Sequence, residues 1–349
     1  MLLLSIVIIV AVIFSAAAAV LFALRLRWAM RAHAGLLVEI RDGIERLARD
    51  SGRTNQSPPN LASQQPAHPV PQSQAADPSA IILDDTDTYE NLDQNWLSIH
   101  DASGRKQTTT AIVGDRTRTA VIIILGQSNA ANHGAGRYVA KHRVDNFNIY
   151  DGKCYHAEDP LLGPSGEGGN FATRLGDKLI EDGLFDRVIL APIAMGGTTV
   201  EQWADQGMFN RRIPVLIRRL HDAGLNANFV LWHQGEGNPG MGDRDGRQYR
   251  KNLLEVIATF RRYGVRAPFF VALATLCGGP HQNAENIRAG QRGAVDHAAG
   301  IYQGPDTDII GVEYRWDKCH FDEMGLALAA ALWVEAIAEF RSRHLETAA

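Results

Sequence analysis

Four short apolar runs, each stopping at glycine-rich polar sequence, limit the fold of this chain more than any other feature. They are residues 120–125 (AVIIIL), 188–193 (VILAPI), 228–232 (NFVLW) and 268–274 (PFFVALA). Runs this short and this uniformly apolar suit strands buried on both faces. Between them, residues 171–182, 212–223 and 249–263 carry apolar side chains at helical spacing, and residues 324–343 form a last helix. Strand alternating with helix predicts an α/β domain with a central parallel sheet covered on both faces. Ligands of such folds bind at the carboxyl ends of the strands, so the residues that follow each run are where chemistry is expected.

Of the 349 residues, 119–343 read as this domain and 81–118 as its lead-in. Residues 1–24 carry no charged side chain and are long enough to cross a hydrocarbon core of roughly 30 Å as a helix. They predict a transmembrane anchor, with a cleaved signal peptide ending near Ala16–Ala19 as the alternative. Arg25, Arg27 and Arg31, with Trp28 at the interface, follow the apolar run and by the positive-inside rule place the rest of the chain in the cytosol. Residues 25–50 then repeat Leu37, Ile40, Ile44 and Leu47 at helical spacing, a juxtamembrane amphipathic helix that can pair with a second copy, lie on the membrane or pack on its own domain. Residues 51–80 are rich in Ser, Gln, Asn, Ala and Pro and cannot bury enough apolar surface to offset chain entropy, which makes them a tether.

A formal net charge of -4 gives no basic footprint for nucleic acid. Cys154, Cys277 and Cys319 are odd in number and widely spaced, without a CxxC pair, so neither a zinc site, a redox motif nor a disulfide framework is expected.

The strand ends hold the unusual residues. Gly126-Gln127-Ser128-Asn129-Ala130 follows the first run and places a serine at a strand-to-loop turn, where it could also simply cap a helix. It is not the G-x-S-x-G elbow, since Ala130 replaces the second glycine. Ala194-Met195-Gly196-Gly197-Thr198 follows the second run, and its glycines let backbone approach a ligand closely. Trp232-His233-Gln234-Gly235-Glu236-Gly237-Asn238 ends the third and crowds polar side chains between glycines. Asp317-Lys318-Cys319-His320-Phe321 precedes the last helix, and a histidine three residues after an aspartate can take its carboxylate on one ring nitrogen and offer the other to a hydroxyl.

GQSNA, MGGT, WHQGE and DKCHF, in that order, resemble the sequence blocks of the SGNH hydrolases, and in particular the sialate O-acetylesterase domain and the acetylxylan esterases of carbohydrate esterase family six. The resemblance spans residues 119–340, with Asp159-Pro160-Leu161, Gly168-Gly169-Asn170-Phe171-Ala172, and Ile287-Arg288 with Gln291 in agreement. It implies a three-layer α/β/α, flavodoxin-like fold. It implies Ser128 as nucleophile, His320 as general base and Asp317 as the residue orienting it, with Glu236 as rival triad acid. The oxyanion hole it implies is the N–H of Ser128, the N–H of Gly196 and the amide of Gln234, although the broader superfamily has asparagine where this chain has Gln234. The expected activity is deacetylation of an O-acetylated carbohydrate through an acetyl-enzyme, with no metal or cofactor. The histidines at 133, 142, 156 and 281 lack ligand spacing and read as surface or pocket residues. An exported glycan substrate would place the domain in the periplasm or outside the cell, against the arginine reading. An O-acetyltransferase, a lipid thioesterase, or an idle glycan-binding adaptor are the competing functions.

Overall fold

The computed structural model describes residues 98–242, 244–278 and 284–346. The expected anchor, juxtamembrane helix and tether lie outside the described residues. Among the described residues no helix is long and apolar enough to cross a membrane.

One eight-stranded sheet organises the domain. In chain order its strands are β1 (Gln107–Thr108), β2 (Thr119–Gly126), β3 (Val144–Phe147), β4 (Cys154–His156), β5 (Arg187–Pro192), β6 (Phe229–His233), β7 (Phe269–Leu273) and β8 (Ile301–Asp306). Their order across the sheet is β1-β4-β3-β5-β2-β6-β7-β8. From β3 to β8 every neighbouring pair is parallel, whereas β4 runs antiparallel to β3, and β1 to β4. The helices are α1 (Phe171–Glu181), α2 (Arg212–Asp222), α3 (Asn238–Met241), α4 (Gly246–Arg262), α5 (Ala284–Gly293) and α6 (Glu323–Glu346).

The three layers follow from the alternation of side chains along β2, all eight of whose residues are buried. Val121, Ile123 and Leu125 belong to one core cluster, shared with Val215 and Leu216 of α2, Leu253 and Val256 of α4, and Ile287 of α5. Ala120, Ile122 and Ile124 belong to the other, shared with Phe171 and Leu175 of α1 and Trp333 and Ile337 of α6. A strand between two such layers has no polar face, which is why its sequence reads as one apolar run. Each of its large aliphatic side chains stabilises the fold by about 1.5–3 kcal/mol relative to exposure.

Part of the lead-in belongs to the sheet. β1 closes one edge, and the Arg187 guanidinium, ion-paired with Asp145 at 2.6 Å, donates to the backbone carbonyls of Thr109 and Ala111. A buried Arg–Asp pair with its remaining donors satisfied by carbonyls leaves no uncompensated charge at that strand's foot.

Candidate active site

β2, at the middle of the sheet, ends at Gly126 with φ +133°, and a Cβ there would sit 2.0 Å from the carbonyl oxygen of His233 on β6. Only glycine allows this turn and this approach together. The chain then makes a single 3-10 turn, Ser128–Ala130, with Gln127 at its N-cap position. Ser128 is therefore not a helix cap. As the first residue of the turn it has an N–H that no intrahelical carbonyl reaches.

The residues on either side of Ser128 are both amides, and each holds a different loop. Gln127 Oε1 accepts from the Gly237 N–H at 2.9 Å, the Gly235 N–H at 3.3 Å and the Gln234 amide at 3.1 Å, fixing the loop after β6. Asn129 Nδ2 donates to the Cys319 carbonyl at 3.1 Å, while its Oδ1 accepts from the Phe321 N–H at 3.3 Å. Asn129 thus grips the backbone immediately before and after His320. All of these groups are buried, where an unmade hydrogen bond costs about 1–3 kcal/mol, so the serine and the histidine are placed relative to one another by satisfied amide chemistry.

The His320 loop is held from several other sides. His320 Nδ1 lies 2.6 Å from Asp317 Oδ2, and Asp317 Oδ1 accepts from the backbone N–H groups of His320 at 2.7 Å and Cys319 at 2.9 Å. Burial alone would raise the Asp317 carboxyl, but these hydrogen bonds hold it below its ordinary value, so it stays ionised beside the ring. Lys318 sits in the left-handed region at φ +69°, uncommon for a non-glycine residue, and its carbonyl accepts from Gly278 N–H at 3.0 Å. From below, the buried Arg315 guanidinium donates to the carbonyls of Cys319, Ile310 and Thr307.

A disulfide joins Cys277 to Cys319, correcting the expectation that these cysteines form no disulfide framework; Cys154 alone is free and buried. The pairing spans 42 residues of sequence. It forms because the loop after β7 and the loop before α6 meet at the same end of the sheet, a closeness that belongs to the topology. It ties the residue next to His320 to the far side of the site.

The glycines after β5 serve close approach. A Cβ on Gly196 would fall 2.5 Å from Nε2 of His133, so the imidazole lies directly on that backbone. The Gly196 N–H donates to Ser165 Oγ at 2.7 Å, and the same oxygen lies 3.2 Å from His133 Nε2. Burial, and then the neighbouring His320, push His133 down to about 4, so at neutral pH it is an uncharged ring that can accept the Ser165 hydroxyl proton. His133 is stacked on His320, with centroids 5.4 Å apart and planes at 25°. Read from the sequence as one scattered histidine among several, it stands inside the site; the only available signal was its position five residues after Ser128.

The third block departs from expectation. Gln234 is fully buried, and its Nε2 lies near Asn238 Oδ1 at 2.7 Å, Gln127 Oε1 at 3.1 Å and the Thr198 carbonyl at 3.1 Å. Its Oε1 accepts from Tyr249 at 2.9 Å. The Gln234 amide, expected to face an oxyanion, is hydrogen-bonded within the core in this state, as the Gly196 N–H is to Ser165. Glu236 is likewise buried: Oε1 accepts from Asn129 Nδ2 at 2.8 Å and lies 3.4 Å from His233 Nε2. Burial opposes its charge, but the His233 and Asn129 contacts outweigh it and hold the carboxyl below its ordinary value. Glu236 reaches His320 only indirectly, through Asn129.

The smaller matching segments are supports. Asn170 caps α1, Asp159 accepts from Thr173 Oγ1 at 2.6 Å, and Gln291 donates to the carbonyls of Gln234 and Ala274.

A family model described as carbohydrate esterase, sialic acid-specific acetylesterase, matches residues 118–338. The chain belongs to that family. It is therefore a carboxylic-ester hydrolase acting on carbohydrate acetyl groups. No curated protein matches it. Among solved structures, a protein from Arabidopsis thaliana is similar at 18% identity and TM-score 0.49, over 62% of this chain and 98% of that one. NanS is similar at 14% identity and TM-score 0.49, over 66% of this chain and 100% of that one. A carbohydrate acetylesterase from Xanthomonas citri is similar at 16% identity and TM-score 0.43, over 62% of this chain and 55% of that one. Membership in the acetylesterase family rests on the sequence match, not on these overlays.

Proposed function

We propose that this acetylesterase works as a serine hydrolase, with Ser128 as nucleophile, His320 as general base and Asp317 as the carboxylate that orients it. The observation that carries the reading is the 2.6 Å contact between His320 Nδ1 and Asp317 Oδ2, on a loop whose backbone is gripped by the residue next to Ser128. Fixing the proton on Nδ1 leaves Nε2 as the basic nitrogen and stabilises the imidazolium once it forms.

In the first half-reaction His320 Nε2 takes the Ser128 proton as Oγ bonds to the acetyl carbonyl carbon. The carbonyl electron pair moves onto oxygen, where the N–H groups of Ser128 and Gly196 receive it, each worth about 2.7–4 kcal/mol of barrier. Gly196 N–H exchanges Ser165 Oγ for the oxyanion. Collapse breaks the bond to the sugar oxygen, which leaves with the proton from His320. Water, deprotonated by the same nitrogen, then attacks the acetyl-enzyme, and acetate and free Ser128 result.

We further propose that residues 1–24 anchor the domain to a membrane. A disulfide beside the histidine supports a location outside the cytosol, because such bonds persist in oxidising compartments. We place the domain there, although the arginines at the apolar run's end favour the opposite side. Membrane fractionation and thiol labelling from each side test that arrangement.

The decisive test of the chemistry is Ser128→Ala: hydrolysis of aryl acetate and acetate release from acetylated carbohydrate fall to background while the circular dichroism spectrum is retained. Undiminished turnover by the folded variant removes Ser128 from the reaction.

A further inference from the structure

Exposed apolar side chains are concentrated beside the site. Of the eight large hydrophobic residues exposed among the described residues, five lie within residues 309–324: Ile309, Val312, Tyr314, Trp316 and Met324. This is the segment that carries His320. Trp316 is 60% exposed, yet it is not loose. Its indole Nε1 donates to the His133 carbonyl at 3.1 Å, its backbone N–H donates to the His320 carbonyl at 3.0 Å, and its ring lies 6.0 Å from that of His320 at 24°. The rings of His133, His320 and Trp316 therefore succeed one another nearly parallel, from the Gly196 backbone out to solvent.

A large aromatic ring left open to water at a reaction centre exposes apolar area that folding would ordinarily cover. Trp supplies rigid, amphipathic contact area at little conformational cost. Its single N–H is already used, so what it presents to a ligand is the ring itself. The matching surface is the flat C–H face of a pyranose, whose hydroxyl edge stays in water. A mobile apolar anchor for lipid needs no such fixation.

Resting on the serine-esterase reading, we propose that Trp316 is a specificity-determining residue: the sugar bearing the scissile acetyl stacks on its indole, which brings the ester to Ser128 and His320. The reacting atoms and Trp316 then contribute separately to selectivity. A small alkyl acetate such as ethyl acetate uses the former, and a carbohydrate acetate uses both.

The test compares kcat/KM for a carbohydrate acetate with that for ethyl acetate, which has no ring to stack. The carbohydrate is whichever of acetylated xylo-oligosaccharide or O-acetylated sialoside the wild-type enzyme turns over faster. Trp316→Ala lowers the ratio by about tenfold or more, chiefly through KM, while Trp316→Phe, which keeps a ring and loses the N–H, retains most of it. An unchanged ratio in Trp316→Ala overturns the proposal, even if both rates fall together, because the indole then only positions His320. An equal fall in Trp316→Phe also overturns it, by assigning the effect to the N–H. Failure of the underlying reading shows separately, as wild-type inactivity on both carbohydrate esters or as persistence of turnover in Ser128→Ala.

Discussion

The loop after β6 and the loop before α6 look equally chemical in the sequence, since each sets a histidine and a carboxylate close together between residues that favour turns. Folding separates them. Gln234 and Glu236 lie under the site, fully or almost fully removed from solvent, with the Gln234 amide engaged by Gln127, Asn238 and Tyr249 and Glu236 Oε1 by Asn129, while Glu236 Oε2 has no hydrogen-bond partner among the described residues. Asp317 and His320 stand at the surface, partly solvated, with one ring nitrogen engaged and one left over. A carboxylate can support a catalytic histidine directly or by holding the backbone around it, and only geometry tells the two apart.

Asp317→Asn should break the contrast most strongly. The amide can no longer accept on both oxygens, so the histidine tautomer is lost, and kcat falls by roughly 10³–10⁴ with a small change in Tm. Steady-state kinetics on aryl acetate checks it, and a loss below tenfold would assign Asp317 to the loop alone. Replacing Cys277 by Ser sharpens the comparison from the other side. It cuts the tie to the far loop but leaves Asn129, Arg315 and Asp317 in place, so thermal unfolding drops by about 2–4 kcal/mol and kcat falls only several-fold. A wild-type protein treated with reductant should behave in the same way. The smallest kinetic effect is expected for Glu236→Gln, whose kcat loss stays within about tenfold while stability falls by about 1–3 kcal/mol, as the charge facing His233 is lost and an N–H donor enters the buried position where Oε2 has no hydrogen-bond partner among the described residues. Should Glu236→Gln lose more kcat than Asp317→Asn, the two loops exchange roles.

Much of the central sheet was legible because burial on both faces leaves no room for polar residues. β2, β5, β6 and β7 begin and end within one or two residues of the apolar runs, and α1, α2 and α4 match the helical periodicity. The outer strands were not legible. VDNF in β3, CYH in β4 and IYQGPD in β8 lack an apolar run, and the last, with glycine and proline, is tolerated because it pairs on one side only. At the site, Asp317 and His320 were readable as a pair because three residues of one loop suffice to join them. The depth of Gln234, fully buried, was not legible because a strand-end position says nothing about depth. His133 was left between surface and pocket, and Ser165 and the disulfide were missed, because each depends on contacts between loops distant in sequence, which local pattern does not encode.

The bracketing of Ser128 by Gln127 and Asn129 separates location from reactivity. None of the hydrogen bonds that join the neighbouring loops runs through the serine's own side chain; the two amides beside it do that work. The central position of the GQSNA block is thus an interchangeable socket. A methyl group in place of the hydroxymethyl removes none of those hydrogen bonds, whereas truncating either neighbour removes several with the reactive group untouched.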